Sequence, residues 1–164
     1  MRRLYLIASM LLCMCLSANA QAKLIVNNGL IGLDWKFKRS FLSGNTLVVD
    51  FVVENNTSKD EWCAIIASQS ASWGESVLKA YDDEGNVYES NALMGGVPFS
   101  GKIGGKNLLN EWESIPSGNM IKVRLQIAGI DEYATLIKTL TVPIMTSNEN
   151  RSELRVTNIP IPRE

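Results

Sequence analysis

The chain has 164 residues, with 16 basic against 17 acidic side chains, three cysteines and no histidine. The absence of histidine excludes imidazole metal sites and histidine-based triads. The near balance of charge weighs against a polyanion partner, which needs a concentrated basic surface.

The amino terminus reads as a secretory signal peptide. Arg2 and Arg3 precede an apolar run from Leu4 to Leu16, and small residues follow to Ala18-Asn19-Ala20. The apolar run is too short to cross a bilayer as a helix. Cleavage is expected after Ala20, and Ala20-Gln21-Ala22 offers a second small-x-small site. Neither Cys13 nor Cys15 follows the small residues that a lipoprotein signal requires, so the reading is a secreted or periplasmic protein without a lipid anchor. No later run reaches membrane length. Loss of residues 1–20 leaves 144 residues, with 14 basic and 17 acidic side chains, enough for one domain with its own core. Cys63 is then the sole cysteine, so no internal disulfide can form.

Along the rest of the chain, apolar residues recur with period two. Leu33, Trp35 and Phe37 alternate with Asp34, Lys36 and Lys38, and after Ser43-Gly44-Asn45 the residues Leu47, Val49, Phe51 and Val53 alternate with polar ones up to Glu54. The two runs form an expected hairpin. Asn55 to Asp60 is a polar turn, and Trp62 to Ala67 is a continuous apolar strand covered on both faces. Ser76 to Tyr81 and Val87 to Glu89 flank Asp82-Asp83-Glu84-Gly85-Asn86 as a short hairpin at a sheet edge. Five glycines and Pro98 in Asn91 to Lys106 read as a long surface loop. No Lys-Ser or Lys-Thr follows to make it a phosphate-binding loop.

The later strands are Met120 to Ala128, with Ile121, Val123, Leu125 and Ile127 on one face, and Thr135 to Ile144, with Leu136, Leu140 and Val142 sharing a face. Pro143 is expected at a strand end or edge. Residues 146–164 are read as a last strand about Leu154-Arg155-Val156 or an extended tail, and 21–145 as the main domain. The fold class is therefore all-β: an antiparallel β-sandwich of seven to eight strands, preceded by a cleaved signal peptide.

Three stretches, Leu47 to Asn56, Leu78 to Tyr88 and Ile115 to Ile127, resemble the uncharacterised immunoglobulin-like, telokin-like domains of secreted bacterial proteins. They are similar to a core strand ending in Asn, an acidic-Gly hairpin, and a Pro-Gly turn with its following strand. The antibody pattern Cys…Trp…Cys and its tyrosine corner are missing, so only the architecture carries over. Such resemblance implies a sandwich without fixing an activity.

Candidate sites are few. Cys63 lies in an apolar run with no base beside it, which points to core packing. Asp82, Asp83 and Glu84 suggest a calcium loop, but the alternate ligand spacing is wrong, and a solvated turn is the expectation. Glu111 and Glu113 around Trp112 would share one strand face without a cleft, a poor glycosidase pair. The sequons at Asn55, Asn56 and Asn150 suggest surface loops. The expected binding surface is instead Trp73, Trp62 and Trp112 with the glycines Gly95 and Gly96, because exposed indoles stack on sugars and anchor protein interfaces. The sequence thus points to a non-enzymatic, exported binding module for a protein or carbohydrate at the cell envelope. It is expected to use no cofactor, metal or nucleic acid. A carbohydrate-binding module and a carboxylate-dependent hydrolase are the alternatives.

Overall fold

The computed structural model describes residues 25–28, 32–66, 77–90, 98–109, 111–147 and 151–163. The signal segment, Trp73, Gly95, Gly96 and Asn150 lie outside them. Twelve strands lie among the described residues: β1 (Ile25–Asn28), β2 (Leu33–Ser43), β3 (Thr46–Asn55), β4 (Glu61–Ile65), β5 (Lys79–Asp82), β6 (Val87–Glu89), β7 (Phe99–Ile103), β8 (Lys106–Asn107), β9 (Glu113–Ile115), β10 (Met120–Ile127), β11 (Leu136–Thr146) and β12 (Arg151–Pro160). There is no helix long and apolar enough to cross a membrane among these residues.

The strands form a two-sheet antiparallel sandwich. One sheet runs β2-β3-β10-β7-β8. The other runs β1-β12-β11-β4-β9, with β5 also on β11 and β6 on β5. The expected alternation builds the space between the sheets. Leu47, Val49, Phe51 and Val53 from β3 meet Val123, Leu125 and Ile127 from β10, all buried, with Leu140, Val142, Leu154 and Val156 in the same core. Phe51 is the aromatic centre, with the rings of Trp35 and Phe37 each 6.0 Å away and edge-on, a favoured aromatic geometry.

Two irregularities re-aim side chains. The register of β2 on β3 shifts between Phe37 and Arg39, so Phe41 comes to lie opposite the outer-face Val48 and Leu42 opposite the core residue Leu47. The second lies where β11 shifts on β5 between Ile137 and Thr139. Beside it, Asn158 of β12 has φ 62°. Core positions consequently pass from Leu140 to Ile137 and from Val156 to Ile159, three residues rather than two. This corrects the expectation that Leu136 shares the core face, since the bulge hands that place to Ile137.

Further expectations change. The strand count exceeds seven to eight, chiefly because short strands escape a periodicity criterion. Residues 99–107 of the glycine-rich segment are not loop but the hairpin of β7 and β8, turning at Gly104-Gly105, with Gly104 at φ 58°. Gly101 sits inside β7 at φ 146°, and a Cβ there would lie 1.9 Å from the carbonyl oxygen of Arg124. Glycine marks a close backbone approach within a strand here, not a loop. Pro143 ends nothing: it is buried inside β11, opposite Glu153 on β12, where the other neighbour changes from β5 to β4. Its missing donor falls at that changeover. The segment after Met145 supplies a ten-residue strand between β1 and β11 that adds Leu154, Val156 and Ile159 to the core.

Candidate functional site

Burial removes the chemistry suggested by single residues. Cys63 is fully buried, and desolvation, reinforced by the Glu113 charge, pushes its thiol up to about 12. Glu113 opens β9 and lies 3.2 Å from Lys106 Nζ, bridging the edges of the two sheets. Glu111 precedes the strand and is exposed. The two carboxylates therefore do not share a strand face as expected.

The acidic hairpin is solvated at Glu84, Gly85 and Asn86, as anticipated, but not at its first acid. Asp82 is 1% exposed and accepts hydrogen bonds from the backbone of Glu84 and Asn86, the Asn86 amide and the Tyr88 hydroxyl. Burial alone would raise its pKa, but these donors outweigh it and hold the carboxyl below the ordinary value. Asp83 behaves similarly, against burial, through Thr135 and the Leu136 amide. Asp83 caps the start of β11 and Asp82 ties its own hairpin together, which leaves little coordination free for a cation. Among the described residues no cluster of three or more metal-ligating side chains occurs.

Of the tryptophans, Trp62 on β4 is 46% exposed and Trp112, just before β9, is half-buried. Register sets Trp62 opposite Ser114, two residues from Trp112, so the two tryptophans come from adjoining segments at one sheet edge. Trp73, Gly95 and Gly96 lie outside the described residues. The sequon residue Asn55 is buried at 1% exposure and unavailable to a glycan, contrary to a surface-loop reading.

The densest unassigned chemistry lies on the outer face of the five-stranded sheet. Register aligns Arg39 with Asp50, Asp50 with Arg124, and Arg124 with Lys102 in one row across β2, β3, β10 and β7. Two residues along, Lys36, Val52 and Lys122 make a second row. Paired residues on adjoining strands have Cβ atoms about 5 Å apart, so strand pairing, with the shift after Phe37 that turns Arg39 outward, gathers these cations. Arg124 grips Asp50 with both Nε (2.7 Å to Oδ1) and Nη2 (3.0 Å to Oδ2), and Arg39 Nε reaches Oδ2 at 2.9 Å. Hydrogen bonds from Arg124 and then Arg39 hold the Asp50 carboxyl below its usual value, against partial burial. Both guanidinium groups also lie over the Phe41 ring, 5.2 and 5.9 Å from its centre, which limits their rotamers.

Around this floor is a depression of about 410 Å³, lined among others by Lys38, Lys102 and Lys122. These three lysines are exposed and have no ion-pair partner among the described residues. Lys36, by contrast, is engaged by Glu54 at 2.5 Å and Asp34 at 3.5 Å. The strands of this sheet carry Lys36, Lys38, Arg39, Lys102, Lys106, Lys122 and Arg124 against Asp34, Asp50 and Glu54. Periodicity sets Lys36 and Lys38 on the polar side of one strand, and Lys122 and Arg124 on the side of another that faces away from Val123 and Leu125, without bringing the two strands together. The available signal was that all occupy outward positions of strands that pair.

No family model matches the sequence, and no curated protein does. Among solved structures, the chain is similar to a PapD-like domain of human CEP192 at 11% identity and a TM-score of 0.45, covering 81% of this chain and 87% of that one. It is also similar to the structural-genomics target SoR45, at 7% identity and a TM-score of 0.39, covering 88% and 90% of the two chains.

Proposed function

We propose that the protein is an exported, non-enzymatic binding module of immunoglobulin-like architecture, whose working surface is the basic outer face of the five-stranded sheet and whose ligand is anionic. The observation that carries this reading is the set of three unpartnered lysines around the Arg39–Asp50–Arg124 cluster. Cations held at fixed spacing on a rigid sheet bind anions without first ordering a loop, which lowers the entropic cost of association. The buried Cys63 thiol and the Lys106-paired Glu113 favour binding over catalysis. The amino-terminal signal motif supports export. The immunoglobulin-like assignment is supported by two antiparallel sheets in which sequence-distant strands adjoin, β3 beside β10 and β11 beside β4.

Titration of the mature protein with dextran sulfate and with polyphosphate tests this. Binding should weaken by roughly tenfold or more between 50 and 200 mM salt, as expected for about three ionic contacts. Lys38→Glu/Lys102→Glu/Lys122→Glu should abolish it with the melting temperature nearly unchanged. Absence of binding at low salt, or full binding by the triple variant, refutes the assignment. A second reading, a carbohydrate-binding module using tryptophans, is supported by exposed Trp62 near Trp112, and Trp62→Ala would then lose capture of neutral glycans.

A further inference from the structure

We infer that the basic face is built for a linear polysaccharide that carries carboxylates, a polymer of sugar acids; this rests on the reading of that face as the binding surface. Asp50 shows how the face receives a carboxylate, since its two oxygens take three N–H groups from two guanidiniums. A guanidinium has five N–H donors. Arg39 uses one of them here and Arg124 two, so both retain donors for a further acceptor while Asp50 and Phe41 hold them in place.

The surroundings select among anions. The cations run in rows, Arg124 beside Lys102 on the adjoining strand and Lys122 two residues from Arg124, a spacing that suits charges repeated along a chain. The next row holds the neutral pair Ser100 and Gln126, whose side chains meet at 3.2 Å. They offer hydroxyl and amide partners where a sugar presents hydroxyls. A linear polymer lying along the depression reaches both arginines, whose side chains stay exposed. Base stacking by a single-stranded nucleic acid needs an open aromatic face, and Phe41, half-buried, already lies beneath both guanidiniums.

The test is affinity electrophoresis of the mature protein through gels containing polygalacturonate, with dextran, polyglutamate and single-stranded DNA gels alongside, and co-sedimentation with anionic phospholipid vesicles. Polygalacturonate should retard the protein most, dextran not at all. Lys102→Ala/Lys122→Ala should weaken retardation about tenfold or more, in line with the loss of two ionic contacts. Lys59→Ala, which removes an exposed charge from the turn after β3, should leave it unchanged, and thermal melts should show all variants folded. Equal or stronger binding of polyglutamate, DNA or vesicles overturns the polysaccharide assignment while leaving an anion-binding face intact. The same holds if dextran sulfate binds and polygalacturonate does not. Failure to bind any of these polymers overturns both readings. Retardation that survives Lys102→Ala/Lys122→Ala places the ligand elsewhere and overturns this one.

Discussion

Asn55 offers a sharp test of how the sandwich is held together. Its side chain is buried and makes four hydrogen bonds. Oδ1 accepts from the Thr57 amide (2.9 Å) and hydroxyl (2.8 Å), and Nδ2 donates to the carbonyls of Lys59 (2.7 Å) and Ile115 (2.8 Å). Its backbone pairs with Gly118 and Asn119. One residue thereby joins the end of β3, the 56–60 turn, the end of β9 and the turn into β10. Asn55→Asp keeps the shape but removes both donors, setting a carboxylate against two carbonyl oxygens. Two unmet groups at about 1 to 3 kcal/mol each, with a buried charge left uncompensated, give an expected loss of about 3 to 5 kcal/mol at pH 7. Asn55→Ala, which leaves unmet partners but no charge, should lose about 2 to 4 kcal/mol. The introduced carboxyl would have a folded pKa above its unfolded value, so its relative stability is highest below that unfolded value and is lost as pH rises through the folded one. Urea unfolding at pH 7 and pH 4 should therefore show the Asp variant recovering relative to Ala in acid. A loss under about 0.5 kcal/mol at pH 7, or a deficit independent of pH, would refute this account.

Two further predictions address the core. Phe51→Ala removes the ring between Trp35 and Phe37 and should cost about 3 to 5 kcal/mol in chemical denaturation, because the two sheets cannot close the cavity; a loss under about 1 kcal/mol would mean that the core rearranges. For Cys63, the folded thiol at about 12 lies above the unfolded value near 8.5. Its contribution is full below the unfolded pKa and is lost as pH rises towards the folded one. Stability should fall between about pH 9 and 12, and Cys63→Ala should remove that part of the slope. An unchanged slope in the alanine variant would assign the loss to other groups.

Local chemistry was legible wherever a face was simple. Alternation in Leu47 to Val53 and Ile121 to Ile127 marked strands with one inward side, and Gly44, at φ 61° in the β2–β3 turn, did the work expected of it. The apolar surroundings of Cys63 likewise implied burial. The sequence alone could not show the bulges near Lys38 and Lys138, because each shifts the phase of a strand through pairing with a neighbour distant in the chain. Nor could it place Gly101, whose need for no side chain comes from the Arg124 backbone on the adjoining strand. The role of Asp82 as a buried acceptor depended on Tyr88 and Asn86 turning towards it. The basic face shows the same division most clearly. Composition records an almost neutral chain, whereas tertiary pairing stacks β2, β3, β10 and β7 so that outward cations from separate segments meet in rows. Periodicity decides which way a side chain points, but only strand order decides which charges it points beside.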